Sequence, residues 1–128
     1  MDNNVYYLPM NRDQAIPITT DGVPGVFYNG HTDWVYEEDV MYSGQATWFS
    51  TGGTYLAFAT FDDNEVESYS YYYYVDKSEP DDLYPELVDL KYPKVGRTNP
   101  TVLLRVVNLV QLEATNVPTF ITMEPPAA

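Results

Sequence analysis

The sequence predicts an all-β chain of short antiparallel strands interrupted by one short acidic helix. Three observations predict it. Thirteen tyrosines and ten prolines in 128 residues suit pleated, half-buried strands separated by many turns. Two pairs of apolar stretches are joined by compact turns, Asn11-Arg12-Asp13 and Thr51-Gly52-Gly53, in the manner of hairpins. The run Asp33–Val40, Asp-Trp-Val-Tyr-Glu-Glu-Asp-Val, places three acids just after a residue able to cap a helix.

The elements follow in order. Asn4–Met10 reads as a strand, Asn11–Asp13 as a turn and Gln14–Thr19 as the returning strand, with Pro17 marking an edge position. Thr20–Gly25 is a Gly/Pro loop, Val26–Tyr28 a short extended piece, and Asn29-Gly30 a turn dipeptide. Gln45–Ser50 and Thr54–Phe61 form the second hairpin, whose glycines supply the positive φ of the turn. Ser68–Val75 contains four successive tyrosines, Tyr71–Tyr74, which alternate faces on a strand and suggest packing on both sides. An acidic, Pro-containing loop over Asp76–Glu86 leads to an extended Leu87–Tyr92. Val102–Val107 reads as an apolar central strand, Gln111–Asn116 as a turn, and Phe120–Met123 as a further strand. Glu124–Ala128 is too short and proline-rich to fold alone.

Composition limits the function. The length suits one small domain, and 45% apolar residues are enough for a core. Six basic residues against nineteen acidic ones give a net charge of −13. That balance excludes nucleic-acid binding through a basic patch, disfavours anionic membranes, and favours cationic ligands such as peptide N-termini. The same balance rules against the tyrosine run as a base-stacking platform. Without cysteine there is no disulfide or thiolate metal site. No stretch has the length and apolarity of a membrane span, and Met1-Asp2-Asn3-Asn4 lacks a basic n-region and an apolar h-region, so no signal peptide is visible.

Candidate chemistry centres on the acidic helix. Asp33 can accept from a free N–H at the helix start, and the dipole there favours Glu37, Glu38 and Asp39. At helical spacing three consecutive side chains fan across roughly 200°, so two neighbours, but not all three, converge on one small cation. Asp62, Asp63 and Glu65 lack the glycine and terminal glutamate of a calcium loop and read as solvated turn residues. Lys91, Lys94 and Arg97 belong to a turn leading into the central strand rather than to an anion site. His31, the single histidine, reads as a surface turn residue.

Four segments carry a resemblance. Trp48-Phe49-Ser50, the glycine turn and Tyr55-Leu56-Ala57-Phe58 are similar to a pattern found in many β-propeller blades. Asp33–Val40 resembles the substrate-anchoring motif of the dipeptidyl peptidase IV family, and Phe61–Val66 resembles the segment that closes the next strand in that family. Lys91–Val102, with its Tyr-Pro-Lys, Gly and Asn-Pro, resembles a further collinear segment. The resemblance covers roughly Asn3 to Asn108.

It implies a partial β-propeller of about two blades with a short acidic helix inserted, residues 1–128 being a fragment of the family's N-terminal propeller domain. In that family the motif ends in three glutamates, and the second and third hold the free N-terminal amine of a peptide. By position these are Glu38 and Asp39, with Trp34, Tyr36 and Glu37 in support. The implied function is the substrate-anchoring portion of a serine exopeptidase. The alternative is part of a non-catalytic auxiliary subunit of an ion channel, or a non-enzymatic binding fragment. The family's Ser-Asp-His triad sits in a separate α/β-hydrolase domain. The Gly-x-Ser-x-Gly elbow it requires does not occur here, so the chain by itself is expected to be inactive. No cofactor or metal is implied. The expected partners are peptide N-termini and the remaining blades and hydrolase domain of the same parent, commonly homodimeric, at the plasma membrane or secreted.

Overall fold

The computed structural model describes residues 2–74 and 84–123. Nine strands are present among them: β1 (Tyr6–Tyr7), β2 (Ile16–Pro17), β3 (Phe27–Asn29), β4 (Thr47–Phe49), β5 (Tyr55–Asp62), β6 (Ser68–Tyr73), β7 (Glu86–Lys91), β8 (Thr101–Asn108) and β9 (Phe120–Met123). One α-helix, α1 (Leu109–Thr115), and one π-helical turn, Tyr36–Met41, complete the described structure. No helix among the described residues is long and apolar enough to cross a membrane.

The organising strand is β5. Along one edge it pairs with β8 over its whole length, from Tyr55↔Asn108 to Asp62↔Thr101. Along the other it pairs with β4 at its start (Leu56↔Phe49) and with β3 at its end (Phe61↔Tyr28). β9 then adds to β8. The antiparallel meander β4-β5-β8-β9 is thus continuous in space, and the β6–β7 hairpin is an excursion between its middle strands. The residues of β5 explain its central place. Leu56, Phe58 and Thr60 point to one face, Ala59 and Phe61 to the other, and all five are buried.

Each face has its own core. Leu56, Phe58 and Val107 pack against Val5, Ile16 and Ile18 of the N-terminal hairpin and Leu109 and Leu112 of α1. Ala59 and Phe61 pack with Ala46, Tyr28, Val102, Tyr36 and Met41, the last two from the acidic turn. β5 therefore lies between the N-terminal hairpin and the acidic turn.

Several expectations change. The first hairpin is in place but its strands are two residues each. The pairing extends through Val5 O, which accepts from Ile18 N at 2.8 Å and from Thr19 N at 3.2 Å. Residues expected as a turn after the central strand are instead in α1. Asn108 Oδ1 accepts from Gln111 N at 3.1 Å, Leu109 and Leu112 are buried one turn apart, and Asn116 closes the helix at φ 54. The valine-rich run before it masked this cap. The tyrosines of β6 are exposed on both faces rather than packed on both; among the described residues β6 pairs only with β7. The acidic loop expected over 76–86 lies mostly in 75–83, and the C-terminal tail in 124–128, both outside the described residues.

Phe58 and Phe61 are both fully buried, on opposite faces of β5. Replacing either by alanine is expected to cost about 3–5 kcal/mol, while Val95→Ala, at an exposed turn, stays within about 0.5 kcal/mol. Denaturant midpoints check both.

Candidate functional site

The acidic turn is an excursion between β3 and β4, and its base is pinched. Thr32 N donates to Gly44 O at 3.3 Å and Thr32 Oγ1 to Ser43 O at 2.9 Å. Below that, Ala46 N donates to Gly30 O and Gly30 N to Ala59 O, which ties both arms to β5. Gly30 holds φ +75, and a Cβ there would come within 2.5 Å of Val5 Cγ2, so only glycine fits. His31, expected as a free surface residue, is half-buried in this base. Its Nε2 lies 3.1 Å from Asn3 Oδ1 and its ring stands edge-on to Tyr28.

Asp33 caps the turn as expected. Its Oδ1 accepts from Tyr36 N at 2.7 Å, and its carbonyl takes Glu37 N at 3.0 Å. From Tyr36 onward the backbone widens to π geometry, and Tyr42, at φ 54, ends it. Such single π turns recur at functional sites. Tyr36 turns inward, its ring 4.8 Å from that of Phe61. Trp34 turns the other way, with its ring 5.3 Å from Tyr92, and remains partly exposed.

The three acids are all exposed, but they are not equivalent. The Glu37 carboxylate lies back over Gly44, where an added Cβ would be 3.3 Å from its Oε1. Glu38 and Asp39 have no ion pair and no side-chain hydrogen bond among the described residues; the two ion pairs found there are Arg97–Glu67 and Arg105–Asp21. Two adjacent carboxylates thus project into solvent from a turn held at both ends.

One acid departs from the sequence expectation. Asp62 does behave as a turn residue, accepting from Asn64 N at 2.9 Å. Asp63, expected to be solvated, is 1% exposed, and so is Asp33. Asp63 follows β5 on the Phe61 face, which brings its carboxyl against that of Asp33. The available signal was strand parity: counting on from Ala59 and Phe61, residue 63 faces the same core.

Two carboxyl groups in hydrogen-bond contact require a proton between them. Burial, then the Asp33 charge and hydrogen bond, push Asp63 up to about 7. Lys91 opposes this shift and Asp62 adds to it. Asp33 is also raised, by burial, but the Tyr36 N–H and its bond with Asp63 favour its charged form. The pair therefore shares one proton, and Asp63 is the more strongly raised of the two. Burial followed by the two carboxyls raises the hydroxyls of Tyr28 and Tyr36.

An antiparallel meander, faced by the N-terminal hairpin and carrying an insertion between adjacent strands, is blade architecture, and the chain is a partial β-propeller. Residues 1–127 match the family described as the dipeptidyl peptidase IV (DPP IV) N-terminal region. The chain is 44% identical over 112 residues to venom dipeptidyl peptidase 4 of Vespula vulgaris, covering 85% of this chain and 14% of that protein. It is 43% identical over 117 residues to a probable dipeptidyl peptidase 4 of Aspergillus fumigatus, covering 91% and 15%. The crystal structure of Porphyromonas gingivalis dipeptidyl peptidase 4 superposes with a TM-score of 0.82 at 31% identity, over 100% of this chain and 16% of that one. The chain belongs to the dipeptidyl peptidase IV family, within its N-terminal region. It spans about one seventh of the relatives it matches.

The buried acid makes stability depend on pH. Folded Asp63 keeps its proton to about pH 7, whereas an ordinary aspartate loses it near 3.8. Between these values the unfolded chain binds fewer protons than the folded one, so stability falls as pH rises through that window and levels off above it. Asp63→Asn is expected to flatten this slope and raise stability above pH 7 relative to the parent sequence; urea unfolding across the window measures it.

Proposed function

We propose that this chain is the substrate-anchoring part of a dipeptidyl peptidase IV-type exopeptidase, with Glu38 and Asp39 receiving the protonated N-terminal amine of a peptide. The observation that carries this reading is the pair of adjacent, exposed carboxylates, unpaired among the described residues, on a turn clamped at its base. An ammonium presents three donors, and two carboxylates accept most of them. Glu37, drawn back over Gly44, supports the turn and leaves its two neighbours to the ligand. Trp34 and Tyr36 hold the turn from opposite sides, against Tyr92 and Phe61.

The anchor acts as a ruler. Fixing the amine fixes how far the chain reaches, so a nucleophile at a set distance cleaves after the second residue. The nucleophile, its base and its oxyanion donors belong to an α/β-hydrolase domain elsewhere in the parent protein, a chemistry with no elbow motif in these residues. Dipeptide release by that parent, from the plasma membrane or in secreted form, follows from the same reading. Asp39, shorter than the family's glutamate by one methylene, draws the ammonium closer to the π turn. The surrounding negative charge adds long-range attraction for cationic ligands.

Charge-assisted hydrogen bonds are worth about 1.5–3 kcal/mol. Glu38→Gln in the intact parent is therefore expected to lower kcat/KM for free-amine peptide substrates roughly 10- to 100-fold, chiefly through KM. Its unfolding midpoint should stay near that of the parent sequence. Unchanged kinetics would remove Glu38 from the anchor.

A further inference from the structure

The buried Asp33–Asp63 contact is used neither by the sheet nor by the proposed anchor, yet it joins them. Asp33 is the residue from which the acidic turn departs, through Tyr36 N on Oδ1 and Glu37 N on its carbonyl. Asp63 is held rigidly on the other side. Its own N–H donates to Val26 O at 2.9 Å, and its carbonyl accepts from Val66 N at 3.0 Å. No N–H or O–H among the described residues reaches Asp33 Oδ2 or Asp63 Oδ1. Both oxygens are buried, and leaving them bare is costly. A single proton between the two carboxyls satisfies them and removes one of two buried charges.

We propose that Asp63 is a positioning residue for the amine anchor: its protonated carboxyl donates to Asp33, and that bond fixes the cap from which Glu38 and Asp39 project. The inference rests on the anchoring role proposed above. Its consequence is a pH-dependent anchor. When Asp63 loses its proton, two carboxylates face each other out of water, repel, and free the start of the turn. The groups bearing on this equilibrium come from each packed element: Tyr28 on β3, Tyr36 and Asp33 in the acidic turn, Asp62 at the end of β5, and Lys91 on β7. Lys91 directs its ammonium to Val66 O at 2.7 Å, so it tempers the proton's hold on Asp63 without replacing it.

The test is binding of the dipeptide Ala-Pro, with N-acetyl-Ala-Pro as control, to the intact parent by calorimetry between about pH 6 and about pH 8. Asp63→Asn keeps a donor to Asp33 and cannot ionise; Asp63→Ala removes the donor. The parent sequence should lose affinity for Ala-Pro more steeply through pH 7 than Asp63→Asn, which keeps its low-pH affinity. Asp63→Ala should bind about tenfold more weakly throughout, and the acetylated control should distinguish none of them. If Glu38→Gln weakens binding while both Asp63 variants match the parent sequence at every pH, the positioning role is wrong and the anchor stands. If Glu38→Gln binds Ala-Pro as the parent sequence does, the anchor reading falls and this inference falls with it.

Discussion

The rest of the structure depends on β5 being buried on both faces. An eight-residue strand flanked on both edges leaves no backbone group for water, so its side chains must be covered above and below. The N-terminal hairpin and α1 cover Leu56 and Phe58; the acidic turn covers Ala59 and Phe61. The turn is therefore part of the packing of a blade and not an appendage. Tyr36 and Met41 are its apolar underside, and the acids are the side that remains when that underside is buried. This is how a six-residue helical turn, too short to be stable alone, presents charged groups in a defined place.

The same burial creates the unusual electrostatics. Strand parity carries Asp63 into the core that Phe61 defines, where it meets the cap residue of the turn. Two buried carboxylates would destabilise the fold; one carboxylate and one carboxylic acid, hydrogen-bonded together, do not incur the second charge. A neutral Asp63 is thus the physical condition under which Asp33 can cap the turn and the turn can lie on the sheet. The pair titrates as a unit, and the link between sheet and turn follows its proton.

Local signals in the sequence were readable and non-local ones less so. The second hairpin was legible because the Thr51-Gly52-Gly53 turn and its flanking alternation are contained in one short stretch. The cap at Asp33 was legible for the same reason. The π geometry beyond it was not, since Tyr36–Met41 widens to suit contacts with Phe61 and Ala46 that arrive from elsewhere in the chain. α1 was obscured because its cap, Asn108, closes a valine-rich strand with no break in hydrophobicity. Asp63 looked like one polar residue among several in Asp62–Glu65, and the parity that puts it on the Phe61 face is legible only if the alternation of β5 is counted on past the end of the strand. The family and its propeller were legible through collinear motifs, chiefly Asp33–Val40 and Lys91–Val102, whose spacing a single motif would not have constrained.

The measurement that bears most directly on the account is a crystal structure of the intact parent protein with a peptide bound by its free N-terminus. The peptide ammonium is expected within about 3 Å of carboxylate oxygens of both Glu38 and Asp39, with Glu37 still over Gly44. An ammonium held by other groups, with Glu38 and Asp39 left in solvent, would contradict it.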